Sequence, residues 1–231
     1  MTLGEARADQ RAPYREAGVC AVLLAVLYIV ITALYVTAGL VPAELEAKLT
    51  YFAANEPAWW AIVWLSVFTD LLYVPVAAAL YLALASINRN TMQTGAGLLV
   101  LFVILDLAIT WPNYAALLSL SGQYAAATTD VQRAVLVATA GYPTAILDSS
   151  LLGSYIILVP GLGALVIGLV MLRSTFGRLA AWLGVFTGVA GVVAVLGPLI
   201  SEPVGTIAIL AAVLTLVWFF VVGLRLLRLA G

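Results

Sequence analysis

The sequence predicts an all-α, polytopic membrane protein: a bundle of six transmembrane helices with its N-terminus and its C-terminus both in the cytoplasm. Of its 231 residues, 65% are apolar and 9% are charged, and the mean hydropathy is +1.14. Soluble domains average roughly 45–50% apolar and about 25% charged residues. The apolar residues form long stretches, and the basic residues are concentrated in alternate connections between them. We therefore expect a single integral membrane domain over residues 1–231.

The first three spans are predicted at 17–41, 58–86 and 94–119. Residues 1–16 are polar and carry three arginines. The apolar stretch that follows is too long for the apolar core of a signal peptide, so we expect a retained first helix. Each of the three stretches exceeds the roughly 20 residues that a helix needs to cross the hydrocarbon core.

The fourth span is less simple, because Asp148 is the one charged residue between Ala134 and Leu172. A single helix of that length, at about 1.5 Å per residue, would far exceed a hydrocarbon core of about 30 Å. Gly141-Tyr142-Pro143 offers a break. The sequence therefore predicts an interfacial helix at 130–140 and a span at 147–172. Two shorter segments are the alternative, and they would change the parity of the helix count.

The last two spans are predicted at 179–199 and 204–224, and the distribution of charge sets the orientation. With six spans and a cytoplasmic N-terminus, eight of the ten basic residues lie in the cytoplasm, as the positive-inside rule predicts. These eight are Arg7, Arg11, Arg15, Arg89, Arg173, Arg178, Arg225 and Arg228. The outer loops then hold Lys48, Arg133, Glu44, Glu46, Glu56, Asp130 and Glu202. A seventh span would break this alternation from Arg173 onwards.

Four tryptophans near predicted span ends are expected to anchor the bundle at the membrane interfaces. They are Trp59, Trp60, Trp182 and Trp218.

The composition also excludes several classes of chemistry. The chain has no histidine and one cysteine, Cys20, which removes the usual ligands of haem, zinc, copper and iron–sulfur centres and any intrachain disulfide. Its single lysine, Lys48, lies in a predicted loop and not in a helix where a pigment could bind. We expect no cofactor, no metal, no catalytic residue and no nucleic-acid partner. The sequence also favours a function other than catalysis.

Three aspartates lie within apolar stretches: Asp70, Asp106 and Asp148. The first two are predicted at a similar depth, on neighbouring helices joined by a short loop. An ionised aspartate at a helix centre costs about 2.5–3.5 kcal/mol on insertion. The predicted spans contain no basic side chain near this depth, so the partners of the deep pair are hydroxyls, amides, water, a bound cation or each other through a shared proton.

Polar residues at helical spacing accompany these acids. Ser66, Asp70 and Tyr73 form one stripe, Asp106, Thr110 and Asn113 a second, and Asp148 and Tyr155 a third. One reading is a cavity between helices 2, 3 and 4 that opens outward and binds an ion or ligand. Its candidate site residues are Asp70, Asp106, Asp148, Ser66, Tyr73, Thr110 and Asn113. The other reading is protonated aspartates that join helices by hydrogen bonds. Asp148 also fits an interfacial or capping position.

The predicted fifth span carries Gly184, Gly188 and Gly191, a spacing that permits close approach of another helix. Packing against the predicted fourth span, which has its own glycines, is one interpretation. A homodimer or a membrane partner subunit at this surface is the other. Membrane lipids are expected partners in either case.

The segment Arg173-Ser-Thr-Phe-Gly-Arg178-Leu-Ala-Ala-Trp-Leu-Gly184, continuing to Gly188 and Gly191, resembles a family of uncharacterised prokaryotic multi-helix membrane proteins. In that family a short loop with serine and arginine leads into a glycine-rich helix. The resemblance implies a fold and transfers no site.

Three functions are carried forward. The first is a small integral membrane protein with a buried acidic cavity that binds or transports a cation, a proton or a lipophilic cation. The second is a non-catalytic accessory subunit of a larger membrane complex, and the third is a lipid-binding or lipid-modifying membrane enzyme. A composition rich in alanine, glycine and valine and poor in lysine favours a multi-pass protein of a prokaryotic inner or plasma membrane.

Overall fold

The computed structural model describes the backbone of residues 3–197 and 207–231, with the side chains from residue 11 onwards in those ranges. These ranges are helical and contain no strand. The helices are α1 (Leu3–Ala38), α2 (Leu45–Ala54), α3 (Glu56–Leu84), α4 (Arg89–Leu105), α5 (Trp111–Ala126), α6 (Asp130–Leu147), α7 (Ser150–Met171), α8 (Arg178–Leu196) and α9 (Ile207–Ala230). A π-helical turn, Asp106–Thr110, joins α4 to α5.

Within the described ranges, six helical stretches are long and apolar enough to cross a membrane, which confirms the predicted multi-pass helical bundle. They are Arg11–Ala38, Glu56–Leu84, Arg89–Ala126, Asp130–Met171, Arg178–Leu196 and Ile207–Ala230. The predicted end of the fifth span at 199, the predicted start of the sixth at 204 and Glu202 lie outside the described residues. So does the side chain of Arg7.

Six helices form a closed ring in chain order. Helix α1 packs on α3, α3 on α4, α4 on α7, α7 on α8 and α8 on α9, and α9 packs back on α1. The other helices, α2, α5 and α6, pack on one another, and α5 continues α4 beyond the π-helical turn. The bundle therefore has a ring that encloses a centre and, at one end, a second layer formed by α2, α5 and α6.

Glycines let two neighbours in the ring approach to backbone contact. A Cβ atom on Gly184 would lie 2.9 Å from the carbonyl oxygen of Ala164, and one on Gly188 would lie 2.6 Å from that of Gly161. Gly191 lies against Gly161 in the same way, 3.5 Å from its Cα by the same measure. The three glycines of α8 thus pack against α7 of their own chain, which is the first of the two interpretations of their spacing.

The break in the fourth predicted span lies later than the sequence indicates. Helix α6 continues through Gly141-Tyr142-Pro143 and ends at Leu147. Helix α7 begins at Ser150, where the Ser149 hydroxyl accepts a hydrogen bond from the Leu152 amide at 3.2 Å. A serine at this position satisfies an amide that would otherwise have no partner, and this cap sets the break at 148–149.

The segment between the first two spans, predicted as an outer loop, contains the ten-residue helix α2. The Glu44 carboxylate caps it by accepting hydrogen bonds from the amides of Glu46 and Ala47 at 3.1 and 2.7 Å. Leu49 and Phe52, one turn apart, are buried. A helix cap followed by an apolar stripe was the signal in the sequence, but it was too short to distinguish from a loop.

Two of the four tryptophans predicted near the membrane interfaces, Trp59 and Trp218, are packed inside the bundle and are 1% and 0% exposed. Trp59 packs edge-on against Tyr35 and Phe52. The indole N–H of Trp218 donates to the Ala180 carbonyl at 3.1 Å. The indole N–H of Trp59 donates to the Tyr51 hydroxyl at 3.2 Å, so both indoles have hydrogen-bond partners inside the protein. In contrast, Trp182 is about half exposed.

Candidate functional site

The six helices of the ring together line a partly open cavity of about 310 Å³. Every membrane-length stretch contributes to its wall. Ligand pockets of proteins have volumes of about 300–1,000 Å³, so the cavity is large enough for a small organic molecule. The sequence predicted a cavity among three helices only.

Two of the predicted acids meet at this cavity. Asp106 lies on its wall and is 4% exposed, and Asp70, beside it on α3, is 1% exposed. The two carboxyl groups are close enough to interact directly. The indole N–H of Trp111 donates to Asp70 Oδ2 at 2.7 Å. In contrast, Asp106 Oδ1 is buried and has no hydrogen-bond donor among the described residues.

The π-helical turn that carries Asp106 ends just before a proline. Pro112 has no N–H to donate, so the regular ladder of the helix is interrupted just before it. The amide of Trp111 donates to the Asp106 carbonyl, five residues back, in place of the residue four back. Such turns are rare in proteins, and those that occur are often found at functional sites.

This turn changes which residues follow Asp106 along the cavity wall. One extra residue in a turn rotates the rest of the helix by about 100° relative to a regular α-helix. Thr110 and Tyr114 therefore line the cavity together with Asp106, and Asn113 does not. The Asn113 amide instead donates to the Ile109 carbonyl of its own helix at 2.6 Å.

Three other predicted site residues, Ser66, Tyr73 and Thr110, also line the cavity. Ser66 and Tyr73, on either side of Asp70 along α3, line it. The hydroxyl of Tyr73 lies 3.4 Å from that of Tyr28 on α1. Thr110 shares a hydrogen bond of 2.7 Å with the Tyr155 hydroxyl on α7. The polar groups near the acids thus connect α3, the π-helical turn, α1 and α7.

Aromatic rings surround the acidic side of the cavity. Six of its lining residues are aromatic: Tyr28, Tyr35, Tyr73, Phe102, Trp111 and Tyr114. The rings of Tyr73 and Phe102 are tilted against each other with centroids 5.2 Å apart, and those of Trp111 and Tyr114 are stacked at 5.8 Å. We refer to these six residues as the aromatic wall.

The opposite side comes from α7, α8 and α9 and is formed by small and aliphatic residues such as Ile156, Ile157, Pro160 and Ala211. Thr187 of α8 is its notable polar member. It is 2% exposed, and its hydroxyl oxygen has no hydrogen-bond partner among the described residues. We refer to this side as the aliphatic wall.

Among the described residues that line the cavity, Asp106 is the one acidic side chain and there is no basic side chain. In addition, the described part of the chain contains no group of three or more aspartates, glutamates or cysteines able to hold a metal ion. An interacting pair of carboxyl groups is stable in a buried site when it carries a proton or faces a cation. The arrangement can thus hold a proton, a monovalent cation or a cationic group of a ligand.

The third predicted acid, Asp148, lies elsewhere. Its carboxylate accepts a hydrogen bond from the Lys48 ammonium at 2.8 Å, and this ion pair joins α2 to the junction between α6 and α7. Asp148 does not line the cavity. The predicted stripe with Tyr155 does not form, because the break at 148–149 separates the two residues.

Sequence reasoning missed most of the aromatic wall and Thr187. Tyr28 and Tyr35 are two turns apart on α1, a spacing that equally fits ordinary packing. For Trp111 and Tyr114 a signal existed, because Pro112 lies close after Asp106 and could have indicated an irregular turn.

The sequence model of one protein family, described as domain of unknown function (DUF4386), matches residues 17–229. No curated protein and no solved structure matches the chain.

Proposed function

The chain belongs to the DUF4386 family, and from this premise we propose that it is a membrane protein that binds or transports a cation, a proton or a lipophilic cation. The family match confirms the predicted resemblance and carries no activity, so the proposal rests on the cavity. Its supporting observation is Asp106 on a cavity wall that has no basic side chain among the described residues, with Asp70 buried beside it.

Buried acids without a basic partner favour a bound cation or a proton for an electrostatic reason. A carboxylate taken out of water needs a compensating charge or proton. The described part of the cavity wall offers neither lysine nor arginine. In the proposed mechanism the pair releases one proton when a cation binds and takes up that proton again when the cation leaves.

The location forms part of the proposal. We place the protein in the inner or plasma membrane of a prokaryote because its composition is rich in alanine, glycine and valine and poor in lysine. We place both ends in the cytoplasm because eight of the ten basic residues then lie on the cytoplasmic side.

The test is ion flux in proteoliposomes of the purified protein. Proton movement is followed with a pH-sensitive dye trapped inside, and uptake of rubidium and tetraphenylphosphonium is followed with labelled ions. We expect flux or binding of at least one of the three, and we expect Asp106→Asn and Asp70→Asn to reduce it by about 100-fold or more. Asn keeps the shape of Asp but cannot carry a charge or exchange a carboxyl proton.

Asp130→Asn is the matched control. Asp130 lies at the start of α6, with a fully exposed side chain and a weak contact of 3.9 Å to Arg133. It makes the same chemical change away from the cavity and should leave flux unaltered. Full activity of the protein with both Asp70 and Asp106 replaced would overturn the proposal.

Native mass spectrometry of the protein extracted gently from its own membrane separates the other two functions. A monomer or homodimer with a small cationic adduct supports binding or transport. Recovery in fixed stoichiometry with other membrane subunits, with no cation bound, would indicate an accessory subunit. A lipid headgroup bound at Asp70 would indicate the lipid-binding or lipid-modifying function.

A further inference from the structure

We infer that the central cavity binds an organic monocation, with the cationic group between Asp106 and the aromatic wall and an apolar body against the aliphatic wall. This inference rests on the proposed function and names the class of ligand for the same site. It follows from the size of the cavity, the composition of its two sides and the number of charges it can balance.

The size of the cavity favours a molecule over an ion. About 310 Å³ is roughly ten times the volume of one water molecule in the liquid. A proton needs a pair of carboxyl groups and no cavity. Hard metal cations take about six to eight oxygen ligands held close together, whereas the described wall offers one carboxylate with scattered hydroxyl groups.

The composition of the aromatic wall matches a cationic group with alkyl substituents. Rings attract a cation that lies over their faces, and sites for quaternary ammonium ligands use this attraction. The six rings of the aromatic wall come from α1, α3, α4 and α5, the same part of the bundle that carries Asp106. A carboxylate that faces several aromatic rings provides both the charge and the soft surface that such a group requires.

The aliphatic wall completes the match. Its isoleucines, alanines, glycines and Pro160 offer apolar surface to the remainder of the ligand. Burial of that surface contributes roughly 25 cal/mol for each Å² removed from water. An inorganic ion would leave this side of the cavity without a contact.

The charge of the pair indicates one positive charge on the ligand. Asp70 is already engaged by the Trp111 indole at 2.7 Å, and Asp70 does not line the cavity. Two neighbouring carboxylates repel each other, so a second negative charge beside Asp106 is disfavoured. Asp106 is thus the one carboxylate that the described wall offers to a ligand, and one ammonium group balances its charge.

The test is isothermal titration calorimetry of the full chain in lipid nanodiscs, with empty nanodiscs as the blank. The probes are benzyltrimethylammonium, tetramethylammonium, sodium and rubidium. We expect benzyltrimethylammonium to bind more tightly than tetramethylammonium by about tenfold, because it adds an apolar ring. Neither sodium nor rubidium should bind measurably in the same range.

Phe102→Leu tests the aromatic contribution without removing a polar group. It replaces one ring of the aromatic wall by an aliphatic side chain, and we expect the affinity for benzyltrimethylammonium to fall about 3- to 30-fold. Phe68→Leu is the matched control, since Phe68 lies on α3 and is 46% exposed. It should bind the probe like the unaltered chain.

The outcomes distinguish the inference from the function on which it rests. Binding of sodium or rubidium, or proton flux, that depends on Asp106 while organic cations do not bind would overturn the inference and leave the proposed function standing. No binding or flux that depends on Asp106 would overturn both. Organic cation binding that Phe102→Leu and Phe68→Leu weaken equally would overturn the role of the aromatic wall.

Discussion

Aspartates lie within apolar sequence in two regions of the chain, and the two regions differ in whether a basic side chain pairs with the aspartate. Asp148, where α2 meets the junction of α6 and α7, has the ammonium of Lys48 at 2.8 Å. Asp70 and Asp106, in the ring of helices, have an indole N–H, nearby hydroxyl groups and each other. Lys48 is the single lysine of the chain.

The difference shows that this chain can supply a counter-ion where an aspartate serves only to hold helices together. The ion pair at Asp148 fixes α2 to residues a hundred positions later in the sequence, and the position needs nothing further. The pair at the centre faces a cavity and has no such partner on the described wall. An internal counter-ion at the centre would balance the charge that the proposed cation balances.

The largest expected effect comes from giving the centre an internal counter-ion. Ser66 lines the cavity and lies one helical turn before Asp70. Ser66→Lys places an ammonium group on the same helix face as Asp70. We expect the affinity for benzyltrimethylammonium, measured by calorimetry in nanodiscs, to fall about 100-fold, because the lysine balances the charge that the probe would balance.

Ser66→Met is the control for this change, as it fills similar space without a charge. It should weaken binding by less than about tenfold. Equal losses for Lys and Met would mean that bulk alone blocks the cavity, and the comparison between the two regions would then not explain the site.

The six spans and the deep acid pair could be predicted because both depend on local sequence. Long apolar stretches determine which segments enter the membrane, and a charge within such a stretch is visible without any knowledge of packing. The same reasoning placed Ser66, Tyr73 and Thr110 beside the acids, because their helical spacing is preserved in the structure.

The rest depends on geometry that spacing does not contain. The π-helical turn exchanges Asn113 for Tyr114 on the cavity wall, and a regular helix cannot predict that exchange. The aliphatic wall arises from α7, α8 and α9, far from the acids in sequence. The partner of Asp148 lies a hundred residues earlier, in a short helix whose pattern resembles a loop.

An intermediate effect is expected at the ion pair, and it should be asymmetric. The side chain of Lys48 is 6% exposed and that of Asp148 is 60% exposed. Asp148→Asn leaves a buried ammonium without its partner and should lower the free energy of unfolding by about 1–3 kcal/mol, less than a fully buried pair would lose. Lys48→Met leaves a carboxylate that water can solvate, and it should cost less than about 1 kcal/mol.

Thermal unfolding followed by tryptophan fluorescence, with the double variant included, measures this asymmetry. The double variant should recover part of the loss caused by Asp148→Asn, because it removes the unpaired ammonium. Cation binding should remain within about threefold of the unaltered chain in all three variants. A loss of binding equal to that of Asp106→Asn would place Asp148 in the functional site and end the contrast between the regions.

The smallest effect concerns the cap of α2, the helix that carries Lys48. The amides of Ala47 and Glu46 donate to the Glu44 carboxylate and hold the pKa of this group below its usual value. A carboxyl group with a lowered pKa in the folded state stabilises that state above its unfolded pKa, and the contribution is lost as the pH falls through the folded pKa. The stability difference between the unaltered chain and Glu44→Gln should therefore be constant near neutral pH and shrink in acid.

Melting temperatures of both proteins between about pH 7 and about pH 3 test this, since model carboxyl groups titrate within that range. Glu44→Gln should not change the affinity for benzyltrimethylammonium at neutral pH, because Glu44 does not line the cavity. A parallel loss of affinity would show that the α2 region and the centre are energetically coupled. The ion pair of Lys48 and Asp148 would then act on the cavity in addition to holding α2 in place, and the two regions would be parts of one mechanism.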